Sequence, residues 1–502
     1  MKKCNAVLGA VLAVTLIAGC GNGNNAGQNE NASNADGKAK GATKISLFAT
    51  LHTPEVPSDK IEKLLEEKTN TELDIQWIPA NSYDDKVNAA FATDALPMVV
   101  GTGKVEMFRE AIRDGQFWEI GPYLKDYPNL SNLNPDVLKN TMVDGKLYSL
   151  YMERPLSRAG LIYRKDWAEK LGIAAPTTID ELYDMLYQFK HNDPDGNGED
   201  DTIGLTDRSD MIYGAFKAVS SWFGTPNYWG EKDGQLLPEF MFPEYVETMK
   251  FFRKLHEEGL INQDFPVTSK EDQRNLLITG RAGAYIGSMP DAMGLQDKLD
   301  DINPDGVLDV QNRIEGPNGL GIWAIPGYGS VWLFPKSSIK TEEQLKDILA
   351  FYDQMMSTEI ANLIHWGIEG EHYTLDNGTV VQNKDLKLID REVKPYAGLV
   401  VGGEQSIPGL LKAKWDLPVK QRAEELVVDN NNFLIHDPTA PLESKTNIEL
   451  GPRLQQSIND ATFQFILGDI DEEGFQKVVD KWLSDGGQKI IDEFNASYEL
   501  TK

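Results

Sequence analysis

The strongest constraint on this chain is the alternation of two kinds of apolar segment from Lys44 onward. Ile45-Ser46-Leu47-Phe48-Ala49 is a short apolar run, and residues 73–78 and Met98-Val99-Val100 repeat its character. Between and after them lie helical patterns. One is capped by Ser58 and carries Ile61, Leu64 and Leu65 on one face, and another runs through Phe108 and Ile112. Thr178-Ile179-Asp180-Glu181 reads as a capping box, and Ile179, Leu182, Leu186 and Phe189 continue at helical spacing. Residues 243–258 and 451–467 are longer amphipathic helices. Strands alternating with helices predict an α/β fold with parallel or mixed sheets covered on both faces. No internal repeat interrupts the pattern.

The first forty residues belong to another regime. Lys2 and Lys3 precede an uncharged apolar stretch over residues 6–18. It is too short to span a bilayer, which takes about 20 apolar residues, and has the length of a signal-peptide core. It ends in Leu16-Ile17-Ala18-Gly19-Cys20, which resembles the lipobox of bacterial lipoproteins. That resemblance implies cleavage before Cys20, a lipidated Cys20 sulfur and a membrane anchor held by more than one acyl chain. The alternative is an ordinary secretory signal followed by a chance cysteine. Residues 21–43 contain no aromatic and no large aliphatic side chain, so they read as a disordered tether. The 2 cysteines, Cys4 and Cys20, both precede the globular region, whose core must then stand without disulfides.

Charge and motifs remove several functions. With 49 basic against 78 acidic residues the formal charge is -29, which repels nucleic-acid backbones and anionic lipid headgroups. No zinc-protease helix, P-loop, nucleophile elbow or dinucleotide fingerprint is present; Gly101-Thr102-Gly103 lacks the third glycine. The 6 histidines show no metal-ligand spacing. Two distant carboxylates could still make a glycosidase, so a surface polysaccharide-degrading enzyme stays open, as does a receptor for a peptide or polyamine.

Residues 193–204 carry the sharpest local signal. Asp193, Asp195, Asn197 and Asp201 place side-chain oxygens at positions 1, 3, 5 and 9 of an EF-hand-like loop, with Gly198 at the sharp turn and the Glu199 carbonyl at position 7. Calcium takes about six to eight oxygens, and this alternation supplies them as a structural staple. Position 12 is Gly204, so the usual bidentate glutamate is missing. A solvated acidic turn is the alternative, because the same residues make turns. Elsewhere, Trp222 lies in the Gly/Pro loop Ser221-Trp222-Phe223-Gly224-Thr225-Pro226-Asn227-Tyr228-Trp229, and Trp118, Trp323, Trp332 and Trp366 sit beside turn signals. Aromatic rings beside turns suit the flat C–H faces of sugars, although any single Trp can equally be core.

Several stretches together resemble the extracellular solute-binding proteins of carbohydrate ABC importers. These are Gly145-Lys146-Leu147-Tyr148-Ser149-Leu150, Leu161-Ile162-Tyr163-Arg164-Lys165-Asp166-Trp167, Leu171-Gly172-Ile173 and Pro176-Thr177-Thr178-Ile179-Asp180-Glu181-Leu182. Gly280-Arg281-Ala282-Gly283-Ala284-Tyr285 is similar to a strand of the same family. Residues 367–374 and 486–495 look like signatures of its longer Gram-positive lipoprotein subgroup. The chain thus resembles a maltose-binding-protein-like receptor, similar to alginate-oligosaccharide-binding proteins.

That resemblance implies a bilobal type II periplasmic-binding-protein-like fold with a three-crossing hinge. It implies no enzymatic activity, an oligosaccharide ligand, ABC-importer permease partners and a monomer on the outer face of the cell membrane (periplasmic if the host has an outer membrane). The expected division is 1–19 signal peptide, 20–43 lipidated tether, 44–153 with 334–432 as one lobe, and 154–333 with 433–502 as the other. The expected crossings are residues 151–158, 329–333 and 433–438. By order along the family, Glu153 is the acid of the first crossing, Thr102 and Lys104 follow a first-lobe strand, and Trp222 is the sugar-stacking aromatic. Arg154 and Arg158 have no family counterpart; facing a cleft, they suit a uronic-acid carboxylate, the alternative being a surface hinge pair of Glu153 and Arg154. The alginate-binding relatives carry an acid where Thr202 stands after the calcium loop.

Overall fold

The computed structural model describes residues 41–500, apart from His52, Pro54 and Lys104. Cys20, the signal segment, the tether up to residue 40 and the site candidate Lys104 lie outside the described residues.

Two main sheets organise the chain. Thr43–Leu51 pairs in parallel with Thr71–Pro79 on one side and Val99–Thr102 on the other. Tyr328–Leu333 then joins Val99–Thr102 antiparallel, and Ser149–Glu153 closes the edge. The second sheet has the order Leu308–Gln311, Ala159–Arg164, Ala282–Ser288, Ile203–Thr206. Ala159–Arg164 is buried at all six positions, as a strand covered on both faces must be.

Local chemistry explains most helix starts. Thr178 accepts from the Glu181 N–H at 3.2 Å, but Glu181 turns its carboxylate to the N–H and hydroxyl of Thr177, both at 2.7 Å. The expected capping box is therefore shared between two threonines. Asp59, not Ser58, occupies the cap position of Lys60–Thr69. The helix Lys445–Leu467 begins six residues earlier than its apolar pattern, because Ser444 caps it by accepting from the Asn447 N–H at 3.0 Å.

Each sheet builds its own core. Leu47, Val99, Leu150, Val331 and Ile348 are buried around the first. Leu161, Leu186, Phe252, Ile286 and Ile458 are buried around the second, and a smaller cluster with Ile162, Leu277 and Val310 covers its other face. The chain passes from the first core to the second between Glu153 and Ala159 and returns through residues 324–327. The helix Pro418–Asp429, expected with the first lobe, instead sets Val419, Ala423 and Val427 against Ile162, Leu308 and Val310 of the second sheet. The last passage therefore precedes residue 418 rather than following residue 432. No helix among the described residues is long and apolar enough to cross a membrane.

Candidate functional site

A cavity of about 360 Å³ opens where the passages between the cores converge. Arg154, Arg158, Tyr213, Trp323, Ile325 and Tyr328 are among its walls. Arg154 leaves the end of Ser149–Glu153, anchored by its N–H to the Gly327 carbonyl at 2.9 Å. Arg158 comes just before Ala159–Arg164, its carbonyl accepting from the Met289 N–H at 2.8 Å. Both arginines are exposed, and neither has a carboxylate partner among the described ion pairs. Gly329 makes room for one of them: a Cβ there would lie 2.4 Å from Arg154 Nε. None of the residues lining the cavity is Asp or Glu.

The aromatic wall combines one exposed ring with one buried ring. Tyr213 is 56% exposed, whereas Trp323 is only 7% exposed, and their rings meet edge to face at 5.8 Å and 61°. The indole Nε1 of Trp323 is buried without a hydrogen-bond partner. A buried donor left unpaired is costly, so a ligand oxygen arriving there would satisfy it.

The turn that carries Tyr213 is held from beneath. Arg208, 6% exposed, donates through Nη2 to the Tyr213 carbonyl and through Nη1 to Gln273 Oε1 at 3.0 Å. Asp207 Oδ1 accepts from the Ala215 N–H at 3.0 Å, at the start of the helix Ala215–Trp222. Burial pushes the Asp207 carboxyl up to about 7. An unfolded aspartate titrates near 3.9. Between these values the folded chain keeps a proton that the unfolded chain has lost, so this group's stabilisation falls as pH rises from about 4 through about 7. Asp207→Asn is expected to gain stability relative to the parent over that window in thermal melts. Parallel pH profiles for the two proteins would contradict it.

Of the expected site residues that the structure describes, Arg154, Arg158 and Trp323 meet at this cavity and the others do not line it. Glu153 is spent on a structural tie. Its Oε1 accepts from the Gln405 N–H at 2.9 Å and its Oε2 from the Ser406 hydroxyl at 2.7 Å, while burial raises its carboxyl above the usual range. Thr102 is 5% exposed and pairs with Val331 across the first sheet. Trp222 is fully buried in the second core. Trp332 stacks on Tyr352 at 6.3 Å and donates from Nε1 to the Val400 carbonyl at 3.1 Å. Trp366 ends the helix Thr358–Trp366 and donates to the Leu411 carbonyl at 3.0 Å. Sequence reasoning missed Tyr213 and Tyr328, although Gly214, Gly327 and Gly329 mark both as aromatics beside turns.

The acidic loop folds on itself. Asp193, with φ of 46°, accepts from the N–H groups of Gly196 at 2.9 Å and Gly198 at 3.2 Å. The Asn197 amide donates to Asp195 Oδ2 at 2.9 Å and Asp201 Oδ1 at 3.2 Å, so a positive dipole end lies between two carboxylates. Burial, with Asp193 and Asp201 nearby, raises the Asp195 carboxyl. This is the donor set and the local repulsion that a hard cation would relieve, with the amide turned to present its oxygen. Arg281 holds the second oxygen of Asp201 and would compete for it. Thr202 does not fit the set: it is 2% exposed and donates to the Phe189 carbonyl at 2.8 Å, closing the preceding helix. Glu199, expected to offer its backbone carbonyl, donates its N–H to Asn197 Oδ1 at 2.6 Å.

One other titratable group forms where histidine spacing gave no sign. Glu371, His372 and Glu392 lie within 4.8 Å of one another. Lys60 pairs with both acids and Arg391 with Glu392, so their charge is already balanced by protein cations.

Comparison with known proteins agrees with this architecture. Residues 53–361 match the family model of bacterial extracellular solute-binding proteins. The polygalacturonan/rhamnogalacturonan-binding protein YtcQ of Bacillus subtilis (strain 168) is 41% identical over 494 residues, covering 97% of this chain and 96% of its own. Lipoprotein LipO of the same organism is 35% identical over 504 residues, covering 98% and 97%. In structure, the chain is similar to an HMO-binding, ABC-transporter-associated solute-binding protein of Bifidobacterium longum infantis, with a TM-score of 0.68 at 19% identity over 92% of this chain and 99% of that one. With a bilobal α/β fold, a cavity at the passages between its cores and these relatives, the chain belongs to the bacterial extracellular solute-binding proteins.

Proposed function

We propose that this protein captures an acidic oligosaccharide, of the galacturonate-containing class, in the cavity between its lobes and delivers it to the permease of an ABC importer. One observation carries the reading: the cavity presents Arg154 and Arg158, unpaired, with Tyr213, Trp323 and Tyr328, and no carboxylate among its lining residues. A guanidinium fork binds a carboxylate through charge-assisted hydrogen bonds, and rings pack on the C–H faces of the sugar. Such a lining disfavours a cationic peptide or polyamine, and a glycosidase would need two carboxylates there. The name of the 41% identical relative, a polygalacturonan/rhamnogalacturonan-binding protein, supports the same class.

The two lobes divide, in this reading, into 44–153 with 328–407 and 159–323 with 418–500, following the two cores. Closure of the lobes on the ligand would present the loaded form to the permease. The lipobox at Cys20 and the resemblance to a named lipoprotein support anchoring at the outer face of the membrane. A thermal-shift scan over glycans tests the ligand. Galacturonate oligomers at about 100 times their dissociation constant are expected to add about 2.7 kcal/mol, with no cleavage products. A response confined to neutral glycans or polyamines, or the appearance of products, would overturn the proposal.

Asp193, Asp195, Asn197 and Asp201 are proposed to hold a structural calcium. Calcium is expected to raise the melting temperature, chelator to lower it, and Asp195→Asn to abolish the difference. An identical melt in calcium and chelator would return the loop to a self-contained acidic turn.

A further inference from the structure

Arg113 ends the helix Arg109–Arg113, whose Ala111 and Ile112 are buried in the first core. Its guanidinium is held on its own side by Asp144, at 2.9 Å through Nε and 2.8 Å through Nη2, and by Glu110 at 2.8 Å. Nη2 also reaches across to Glu443. Glu443 belongs to the other lobe. Leu442, before it, is buried in the second core, the Glu443 N–H donates to Ser497 Oγ at 3.3 Å, and Ser444, after it, donates to Glu493 at 2.6 Å. Arg109 adds a second strut, donating from Nη1 to the Leu442 carbonyl at 3.2 Å. Among the described ion pairs, Arg113–Glu443 is the one that joins the first core's segments to the second's. Neither residue lines the cavity.

We infer that Arg113 and Glu443 form an interlobe clasp that sets ligand affinity from outside the cavity. They are positioning residues for capture, and the inference rests on the reading that ligand is held between closing lobes. The physical link is a two-state one. A ligand that binds the closed form has an apparent dissociation constant equal to the intrinsic one divided by the closed fraction. Anything that favours closure without touching the ligand therefore raises affinity. The guanidinium is preset by Asp144 and Glu110, so little side-chain freedom is lost when the clasp forms. Side-chain exposures of 31% and 28% keep the pair within reach of solvent, which limits its strength and makes it sensitive to salt.

The test uses the full chain carrying Cys20→Ser, with Glu443→Gln as the variant that removes the charge and keeps the shape. The radius of gyration of the ligand-free proteins is measured by small-angle X-ray scattering at low salt. Glu443→Gln is expected to be more extended than its parent, and high salt is expected to bring the parent toward the variant. Glu359→Gln, which breaks the Lys68–Glu359 pair within the first core's own segments, is expected to keep the parent's radius. Equal radii for Glu443→Gln and its parent, or equal expansion by both variants, would overturn the clasp. Calorimetry with trigalacturonate adds the functional arm, with affinity expected to fall about two- to fivefold in Glu443→Gln. If the parent itself does not bind trigalacturonate, the proposed ligand falls, while the clasp is still decided by the radii.

Discussion

Arg154→Ala and Arg158→Ala are each expected to weaken binding of a galacturonate oligomer by about 10- to 100-fold, read by calorimetric titration. Hydrogen bonds to charged groups contribute roughly 1.5–3 kcal/mol, and that range is the loss when the cation is removed but the carboxylate stays. The double variant should fall short of the product of the two, because neighbouring groups sharing one ligand do not act independently. Lysine at either position restores charge without the fork and should recover only part of the affinity. Gly329→Ala probes the same contact without altering charge. Its Cβ would meet Arg154 Nε at 2.4 Å, so the guanidinium must move, and the variant should approach Arg154→Ala. Binding unchanged in both arginine variants would remove the carboxylate-recognition account.

Trp222→Ala is expected to cost about 3–5 kcal/mol of stability, the range for deleting a large buried aromatic. At roughly 2–4 °C per kcal/mol for a large domain, melting should fall by about ten degrees. The side chain has 0% exposure, and the helix Ala215–Trp222 that carries it is buried at all eight positions. Gly316 packs so closely on it that a Cβ there would lie 1.8 Å from the Trp222 carbonyl oxygen. Trp323→Phe offers the contrast. It keeps an apolar ring against Tyr213 but removes the unpartnered Nε1–H, so ligand affinity should drop while melting changes little. Affinity loss in Trp222→Ala with an unaltered melt would return that residue to the site.

This difference between two tryptophans marks what the sequence could and could not tell. The alternation of apolar runs and amphipathic helices placed the α/β class, and Thr178 with Glu181 marked a helix start to the residue. A pattern reports which face of a helix is apolar. Ala215–Trp222 buries even its polar face of Lys217, Ser220 and Ser221, so its pattern gave no means of separating a core tryptophan from a sugar platform. Order along the family points to Glu153 as the acid of the crossing, yet its partners Gln405 and Ser406 lie some 250 positions away, beyond any local signal. The helix Pro418–Asp429 likewise shows an apolar face without saying which sheet it covers. Arg154 and Arg158 were legible through their place at the first crossing that the family resemblance implies, and both line the cavity there.

In the proposed function the cavity recognises the carboxylates of its ligand. Calorimetry with trigalacturonate and with its fully methyl-esterified counterpart tests this most directly, since the two share sugars, length and linkage and differ in charge. One-to-one binding of the acid, with the ester weaker by about 100-fold or more, is the expected result for two charge-assisted contacts. Equal affinity for acid and ester would contradict the account.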